Sequence, residues 1–171
     1  MHAEIEVVVR TGRKRPLYVP ATEHRVELGR PTIEKLIPHR APFLFVDRIT
    51  AVDPGGAAIA GQHRLDPADP LFRGHFPDDP IFPGVLQLEA IGQLGLCMYA
   101  IPRSVTGPPT AVRAIKIHHA AFLAPIRPGA ELSIVATSLT VDDFTGVCAG
   151  QVLVSGEICC IAIMEVYFVE A

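Results

Sequence analysis

The most continuous apolar stretch of the chain extends from Gly84 to about Ile101, with hydrophobic residues on every side of a helical projection. Because glycine is its sole breaker, the stretch predicts a long helix that is buried all round. The segment before it carries five prolines, at positions 67, 70, 77, 80 and 83. Proline fixes the backbone angle φ and lacks an amide donor, so we expect an irregular but stiff loop there.

Strand patterns lie on both sides of this loop and helix. Residues 43–65 predict a β-hairpin with a turn at Asp53–Gly56. An antiparallel sheet wrapped around one helix is an α+β fold, with one sheet face on the helix and the other available to a partner subunit. After the helix, the turn sequences RPGA, DDFTG and SGE separate four predicted strands: Ala111–Phe122, Glu131–Val141, Gly146–Val154 and Glu157–Val169.

Length and composition indicate one globular domain. The chain has 171 residues, of which 49% are hydrophobic and 19% charged, and this composition excludes a disordered chain. Residues 1–30 combine a valine-rich start, a basic cluster from Arg10 to Arg15 and a proline-bounded PLYVP segment. We therefore predict an N-terminal extension with one strand, residues 1–30, and a folded domain, residues 31–171.

Charge, cysteines and hydropathy narrow the classes of function. A formal net charge of −3 argues against general nucleic-acid binding, which needs clustered cations facing phosphates. The four cysteines lack metal-binding spacing and are interpreted as buried free thiols. The start of the chain lacks a signal-peptide pattern. Together these features lead us to expect a reducing, cytoplasmic compartment. Gln87, Glu89 and Gln93 interrupt the apolar stretch, which favours a buried helix over a membrane span.

Two side chains in this region suit acid–base chemistry. His75 lies in the stiff loop, and Glu89 lies on the second turn of the predicted helix. Imidazole titrates near neutrality and suits a general base held in a fixed geometry. A carboxylate in apolar surroundings has its charged form disfavoured, so we expect a raised pKa that lets Glu89 donate a proton. Gln93, one turn further on, is expected to orient Glu89 by a hydrogen bond.

The first turn of the predicted helix offers a further set of donors. Backbone N–H groups near Gly84 and Val85 point outwards at the positive end of the helix dipole. They could donate hydrogen bonds to a substrate carbonyl oxygen that gains negative charge in the transition state. A structural alternative stays open, in which Glu89 is buried only because it pairs with Arg48 or Arg113.

The other histidines are interpreted as structural. His39, in IPHRAPFLFVD, is expected to form hydrogen bonds at the entry to a strand. His118 and His119 are adjacent on a predicted strand and therefore face opposite sides of it. We expect no metal site from this pair.

Three motifs resemble those of a known enzyme family in their order and spacing. They are PHRAPFLFVDRI at 38–49, GHFPDDPIFPGVLQLEAIGQLG at 74–95 and FLAPIRPGAEL at 122–132. Together they resemble the FabZ type of β-hydroxyacyl-acyl-carrier-protein dehydratases over residues 33 to about 169, and the middle motif is specific. The resemblance implies a hot-dog fold, and a homodimer or trimer of dimers with active sites at the dimer interface.

The resemblance also implies a reaction, the reversible loss of water from a (3R)-3-hydroxyacyl thioester to give a trans-2-enoyl thioester. His75 and Glu89 from different subunits would form each site. His75 would take the C2 proton, and Glu89 would assist departure of the C3 hydroxyl group as water. The Gly84 amide would hold the thioester oxygen.

The implied substrate arrives on the phosphopantetheine arm of an acyl carrier protein, and the reaction needs neither a metal nor a redox cofactor. The acyl group would enter a tunnel lined partly by the buried helix and by Phe76, Phe82 and Val85.

Departures from the family pattern concern the surface that would bind the acyl carrier protein. Residues 117–124 read IHHAAFLA where the family usually has a basic stretch, so the surface expected to face an acidic carrier is weakened. Arg103, Lys116, Arg127 and the Arg10–Arg15 cluster are the candidates to replace it. The segments HFPDDP and LEAIGQL slightly resemble the related FabA-type dehydratase-isomerases. The site acid of that subtype is usually aspartate, so a glutamate at position 89 argues against the FabA subtype.

Two other functions stay open. A hot-dog thioesterase could use the carboxylate of Glu89 to activate water, although a histidine 14 residues earlier favours dehydration. A non-catalytic acyl-binding protein would keep the fold without turnover.

Overall fold

The chain folds into one antiparallel sheet accompanied by several helices. The structure is a computed structural model that describes residues 2–55, 57–102 and 112–168. Besides a short 3-10 helix at Thr22–His24, its elements are α1 His2–Gly12, β1 Arg25–Gly29, α2 Arg30–Leu36, β2 Arg48–Val52, β3 Ala58–Arg64, α3 Leu71–Gly74, α4 Gly84–Ala100, β4 Val112–Phe122, β5 Glu131–Val141, β6 Thr145–Val154 and β7 Glu157–Phe168.

The described strands form one seven-stranded sheet in the order β1-β2-β3-β5-β6-β7-β4, in which every pair is antiparallel. Helix α4 packs across one face of it and contacts β3, β5, β6 and β7. Two strand glycines make this close approach possible. A Cβ atom at Gly150 would lie 2.3 Å from Cγ2 of Ile91, and one at Gly61 would lie 2.9 Å from Cδ1 of Leu94. The α+β architecture with one long buried helix is as expected.

The first 30 residues differ from the expectation in one respect. They contain a strand, β1, but the valine-rich start forms helix α1. Ile5, Val8 and Val9 follow helical spacing and pack against the outer face of β6 and β7. This burial overrides the strand preference of valine.

A buried glutamine ties the extension to the sheet. Gln151 on β6 is fully buried, and its Oε1 accepts the N–H of Leu17 at 2.7 Å. Its Nε2 donates to the carbonyl oxygens of Gly12, the last residue of α1, and of Arg15. The amide therefore satisfies backbone groups that the end of a helix leaves unpaired.

The other predicted elements are confirmed with small shifts of their ends. The hairpin is β2 and β3, but residues 43–47 before it are not a strand. The proline-rich loop contains the single-turn helix α3. The last four strands lie where the turns placed them, and the predicted terminal residues Ala111 and Val169 lie outside the described residues.

Candidate active site

His75 is fixed by the loop that follows α3. Its Nδ1 lies 3.0 Å from the carbonyl oxygen of Ile81, which can only accept a hydrogen bond. The Ile81 N–H in turn donates to the His75 carbonyl oxygen at 2.9 Å, and the ring stacks on Phe76 with centroids 4.1 Å apart. Nδ1 therefore carries the proton, and Nε2 keeps a lone pair that can take one.

A cavity of about 450 Å³ opens beside His75 at the start of α4. Gly84 and Val85 line it with Phe122 from the end of β4. A Cβ atom at Gly84 would lie 2.7 Å from the Phe122 ring, so any larger residue here would require that ring to move. Phe82 also lines the cavity but is otherwise buried in the core, whereas Phe76 is exposed.

Glu89 is held by two side chains from different parts of the chain. Nε2 of Gln93 donates to Oε1 of Glu89 at 2.8 Å, as expected from the sequence. Nε2 of His39 lies 3.3 Å from the same oxygen. The structural alternative is wrong, because Arg48 binds Gln62 and Glu131 and Arg113 binds the Val112 carbonyl oxygen.

The expected rise in the pKa of Glu89 is also wrong for this chain. The hydrogen bond from His39 lowers the pKa, burial raises it, and the hydrogen bond from Gln93 lowers it again, with a net shift downwards. The side chain is 31% exposed, so the cost of burying its charge is partial. Sequence patterning missed His39, because the residue is 50 positions from Glu89 and nothing in its local pattern points to a carboxylate.

Glu89 faces a second, apolar cavity of about 340 Å³ between α4 and β4. Its wall includes Leu88, Met164 and Val166, together with Lys116. The chain thus holds His75 and Glu89 in different cavities. Val85, which is 69% exposed, lines both of them.

The remaining sequence candidates are also placed. Nε2 of His118 lies 2.7 Å from Oε2 of Glu165, so its contact is with a carboxylate on the neighbouring strand β7. Within residues 2–55, 57–102 and 112–168, no group of three or more histidine, cysteine, aspartate or glutamate side chains could hold a metal ion. No helix among these residues is both long and apolar enough to cross a membrane.

The chain is similar to a known domain family and to named relatives. Residues 37–162 match the FabA-like domain family. The 3-hydroxyacyl-[acyl-carrier-protein] dehydratase FabZ of Magnetococcus marinus is 40% identical over 130 residues, which cover 75% of this chain and 83% of that protein. The protein of the same name from Xylella fastidiosa is 36% identical over 143 residues, which cover 81% of this chain and 89% of the relative.

Solved structures support the fold. The dehydratase heterocomplex ApeI:P from Xenorhabdus doucetiae superposes with a TM-score of 0.67 at 14% identity, over 81% of this chain and 91% of that chain. A mutant thioesterase from Pseudomonas aeruginosa superposes with a TM-score of 0.53 at 19% identity, over 71% of this chain and 80% of that chain. At these identities the likeness concerns the fold alone, and it confirms the expected hot-dog fold. The family match and the sequence relatives each span most of the chain, so the chain belongs to the FabA-like domain family, with FabZ dehydratases among its relatives.

Proposed function

We propose that the protein removes water reversibly from (3R)-3-hydroxyacyl-acyl-carrier-protein to give the trans-2-enoyl thioester in fatty-acid biosynthesis. The observation that carries this proposal is the state of His75. Its proton is held on Nδ1 by Ile81, so Nε2 is left as a base beside an open cavity at the start of α4. The FabZ relatives are named for this reaction.

The chemistry divides between three groups. Nε2 of His75 takes the proton from C2, and the electron pair of that bond forms the double bond to C3. The C3–O bond breaks, and Glu89 in its acid form gives a proton to the departing hydroxyl group. The Gly84 amide at the positive end of α4 donates to the thioester oxygen as charge develops there. These steps move only protons and electron pairs within the substrate, so they require no redox cofactor.

The site is completed by a second copy of the chain. Strand β4 is the last strand of the sheet, so its outer edge is unpaired among the described residues. The Glu89 cavity touches β4 at residues 112–117, and the His75 cavity touches residues 122–125. Antiparallel pairing of two β4 strands about a two-fold axis near His118 and His119 brings one cavity of each copy against the other cavity of its partner.

Apolar exposure on this side of the chain supports the pairing. Val85, Ile115, Ile117 and Phe122 are each more than half exposed. A homodimer, alone or within a trimer of dimers, covers these side chains and brings His75 of the partner subunit to Glu89. Further burial of the carboxylate raises its pKa relative to the single chain, which favours the acid form that the reaction needs.

The acyl group occupies the apolar cavity beside Glu89, and Gln93 keeps the carboxylate at its wall. Phe82 and Val85 line the approach from the His75 side, and the exposed Phe76 stacks on His75.

Docking of an acidic carrier protein is assigned to a basic groove of about 820 Å³ between α1 and β4. Arg10, Arg13 and Lys14 line it with Lys116, which also borders the Glu89 cavity. Of the other candidates, Arg127 instead pairs with Asp79 and Arg103 lies outside the described residues. Arg13→Glu should raise KM for the carrier-bound substrate and leave KM unchanged for a short soluble thioester, which has no carrier to dock.

A reducing, cytoplasmic location agrees with the cysteines. All four are free and buried.

The test is to incubate the purified protein with (3R)-3-hydroxyacyl-carrier-protein substrates of several chain lengths and to follow the acyl group by mass spectrometry. Loss of water by the wild type, and by neither His75→Ala nor Glu89→Gln, is the expected result. Release of free acid would identify a thioesterase, and binding without product would identify an acyl-binding protein. Circular dichroism of each variant checks that the loss of turnover is not a loss of fold.

A further inference from the structure

The surroundings of Glu89 contain a second imidazole, that of His39. We propose that His39 is a positioning residue for Glu89: its Nε2–H holds Oε1 of the carboxylate and stabilises the charge that Glu89 gains when its proton passes to the departing hydroxyl group. This inference rests on the dehydratase function proposed above and deepens it. Its support comes from the hydrogen bonds that hold residues 37–45 between α2 and α4.

Arg40 holds the backbone at the α2 end of this segment. Its Nη1 donates to the carbonyl oxygens of Ile37 at 2.9 Å and of His39 at 2.7 Å, and its Nη2 donates to that of Glu34 at 2.8 Å. Glu34 lies within α2, and Ile37 follows the last residue of that helix. One guanidinium group therefore ties His39 to the end of α2.

Gln93 holds the other end of the segment to α4. Its Oε1 accepts the N–H of Phe45 at 2.7 Å, while its Nε2 donates to the Phe43 carbonyl oxygen at 3.0 Å and to Glu89 at 2.8 Å. Because the Phe45 N–H can only donate, the orientation of the amide is determined and Nε2 must face Glu89. Two separate sets of hydrogen bonds thus bring His39 and Glu89 together.

Hydrogen bonding also decides which nitrogen of His39 carries the proton. Nδ1 is buried and has no hydrogen-bond partner among the described residues, whereas Nε2 lies 3.3 Å from Oε1 of Glu89. Buried N–H groups without an acceptor are rare in proteins. The proton therefore belongs on Nε2, where His39 acts as a donor to the carboxylate.

A donor at this position helps the step in which the C3–O bond breaks. Glu89 enters that step as an acid and leaves it as a carboxylate with a full negative charge. Nε2 of His39 lies 3.3 Å from the oxygen on which this charge develops, and Nε2 of Gln93 already donates to the same oxygen. Donors that are oriented beforehand lower the barrier, because they do not have to reorganise during the reaction.

Other charged groups face Glu89 and influence the same ionisation. Lys116 projects from β4 into the same cavity, and His75 of the partner subunit joins it in the proposed dimer. Both groups are retained in the variants below, so a change on replacing His39 reports the contact between His39 and Glu89.

The contact can be measured without the reaction. The carboxyl carbon of Glu89, labelled with carbon-13 and identified by its loss in Glu89→Gln, is titrated by NMR. We expect a higher pKa in His39→Ala, because the donor is lost, and a value near wild type in His39→Gln, whose amide can still donate. His24→Gln is the matched control, because His24 bonds to Tyr18 and should leave Glu89 unchanged. An unchanged pKa in His39→Ala would overturn the inference.

Kinetics then test the role in catalysis. In His39→Ala, kcat should fall roughly 10- to 100-fold with little change in KM, since a misplaced reacting group affects the chemical step most. The alkaline limb of the pH–rate profile should move to higher pH together with the pKa of Glu89, and His39→Gln should recover most of kcat. A uniform loss of rate at all pH values, without movement of this limb, would assign His39 a role in folding only and overturn the proposal. If the wild type forms no enoyl product, the proposed function fails, while the titration still decides the contact.

Discussion

Two inactive variants of the chain should restore activity to each other, because each proposed site takes His75 from one copy and Glu89 from the other. The perturbation is to combine His75→Ala chains with Glu89→Gln chains, by co-expression with two different affinity tags. A mixed dimer then has one site in which both residues are intact and one in which both are replaced. Neither parent dimer has an intact site.

The size of the recovery follows from the symmetry of the pairing. If equal amounts of the two chains pair at random, about half of the dimers are mixed, and each mixed dimer has one working site of two. The mixture should therefore show about 25% of the wild-type rate, and purified mixed dimers about 50%. A site contained in one chain would give no recovery, since every chain in the mixture lacks one of the two residues.

The assay follows enoyl product by mass spectrometry, and native mass spectrometry counts the mixed dimers in the same sample. Recovery close to one quarter of the wild-type rate supports the shared site. Abundant mixed dimers without activity would refute the reasoning, and so would full activity of a wild-type chain that is monomeric at the assay concentration.

Three further outcomes are expected for stability and reactivity. Gly150→Ala should lower the free energy of unfolding by about 1–3 kcal/mol in urea titration, because its Cβ would overlap Ile91 on α4. Burial raises the pKa of Asp47, but the contact with His63 and the hydrogen bonds from the Arg64 amide and Arg30 outweigh burial and lower the pKa to well below its ordinary value. The ionised carboxylate thus stabilises the fold at pH values above the pKa that Asp47 has in the unfolded chain, and this contribution is lost as the pH falls below about 5. Asp47→Asn should therefore be less stable than the wild type by about 1–3 kcal/mol at pH 7, and its stability should change less on acidification. Burial raises the pKa of Cys97 and Cys148 to about 12, so a thiol reagent should label them at neutral pH only after unfolding.

Each of these outcomes has a control or a contrary result. Gly74→Ala meets no atom within 4 Å and should keep the wild-type stability; a similar loss in both glycine variants would argue against the overlap. Asp78→Asn removes an exposed aspartate and should leave the acid response unchanged. Rapid labelling of Cys97 in the native protein would contradict its burial against the sheet.

The elements set by local patterns could be predicted from the sequence. Helix α4 follows from one unbroken apolar stretch, and strands β4 to β7 follow from turn residues between them. Helix α1 was missed because three valines in a row favour a strand by propensity, whereas packing on the outer face of the sheet decides the outcome. That packing surface is made by residues more than 130 positions later in the chain and has no local signal.

The contact between Gln93 and Glu89 could be predicted from the sequence, but the electrostatics of Glu89 could not. Motif spacing pointed to His75, Glu89 and Gln93. Burial alone suggested a raised pKa for Glu89, but the sign depends on donors, and one of the two donors comes from a loop that is distant in sequence. The pairing of His39 with Glu89 depends on how residues 37–45 cross α4, which is a tertiary feature.

The separation of the two cavities makes association of chains a requirement of the proposed chemistry. His75 acts at C2 and Glu89 at C3, and adjacent carbons are only about 1.5 Å apart. Within one chain, Glu89 lies five residues after Gly84, about 7.5 Å along the axis of α4, and it faces a cavity different from the one that His75 lines. One substrate carbon pair cannot occupy both cavities at once. The edge position of β4, between the two cavities, allows a second copy to bring the missing half of each site. Activity per chain should therefore fall when the protein is diluted until the dimer dissociates.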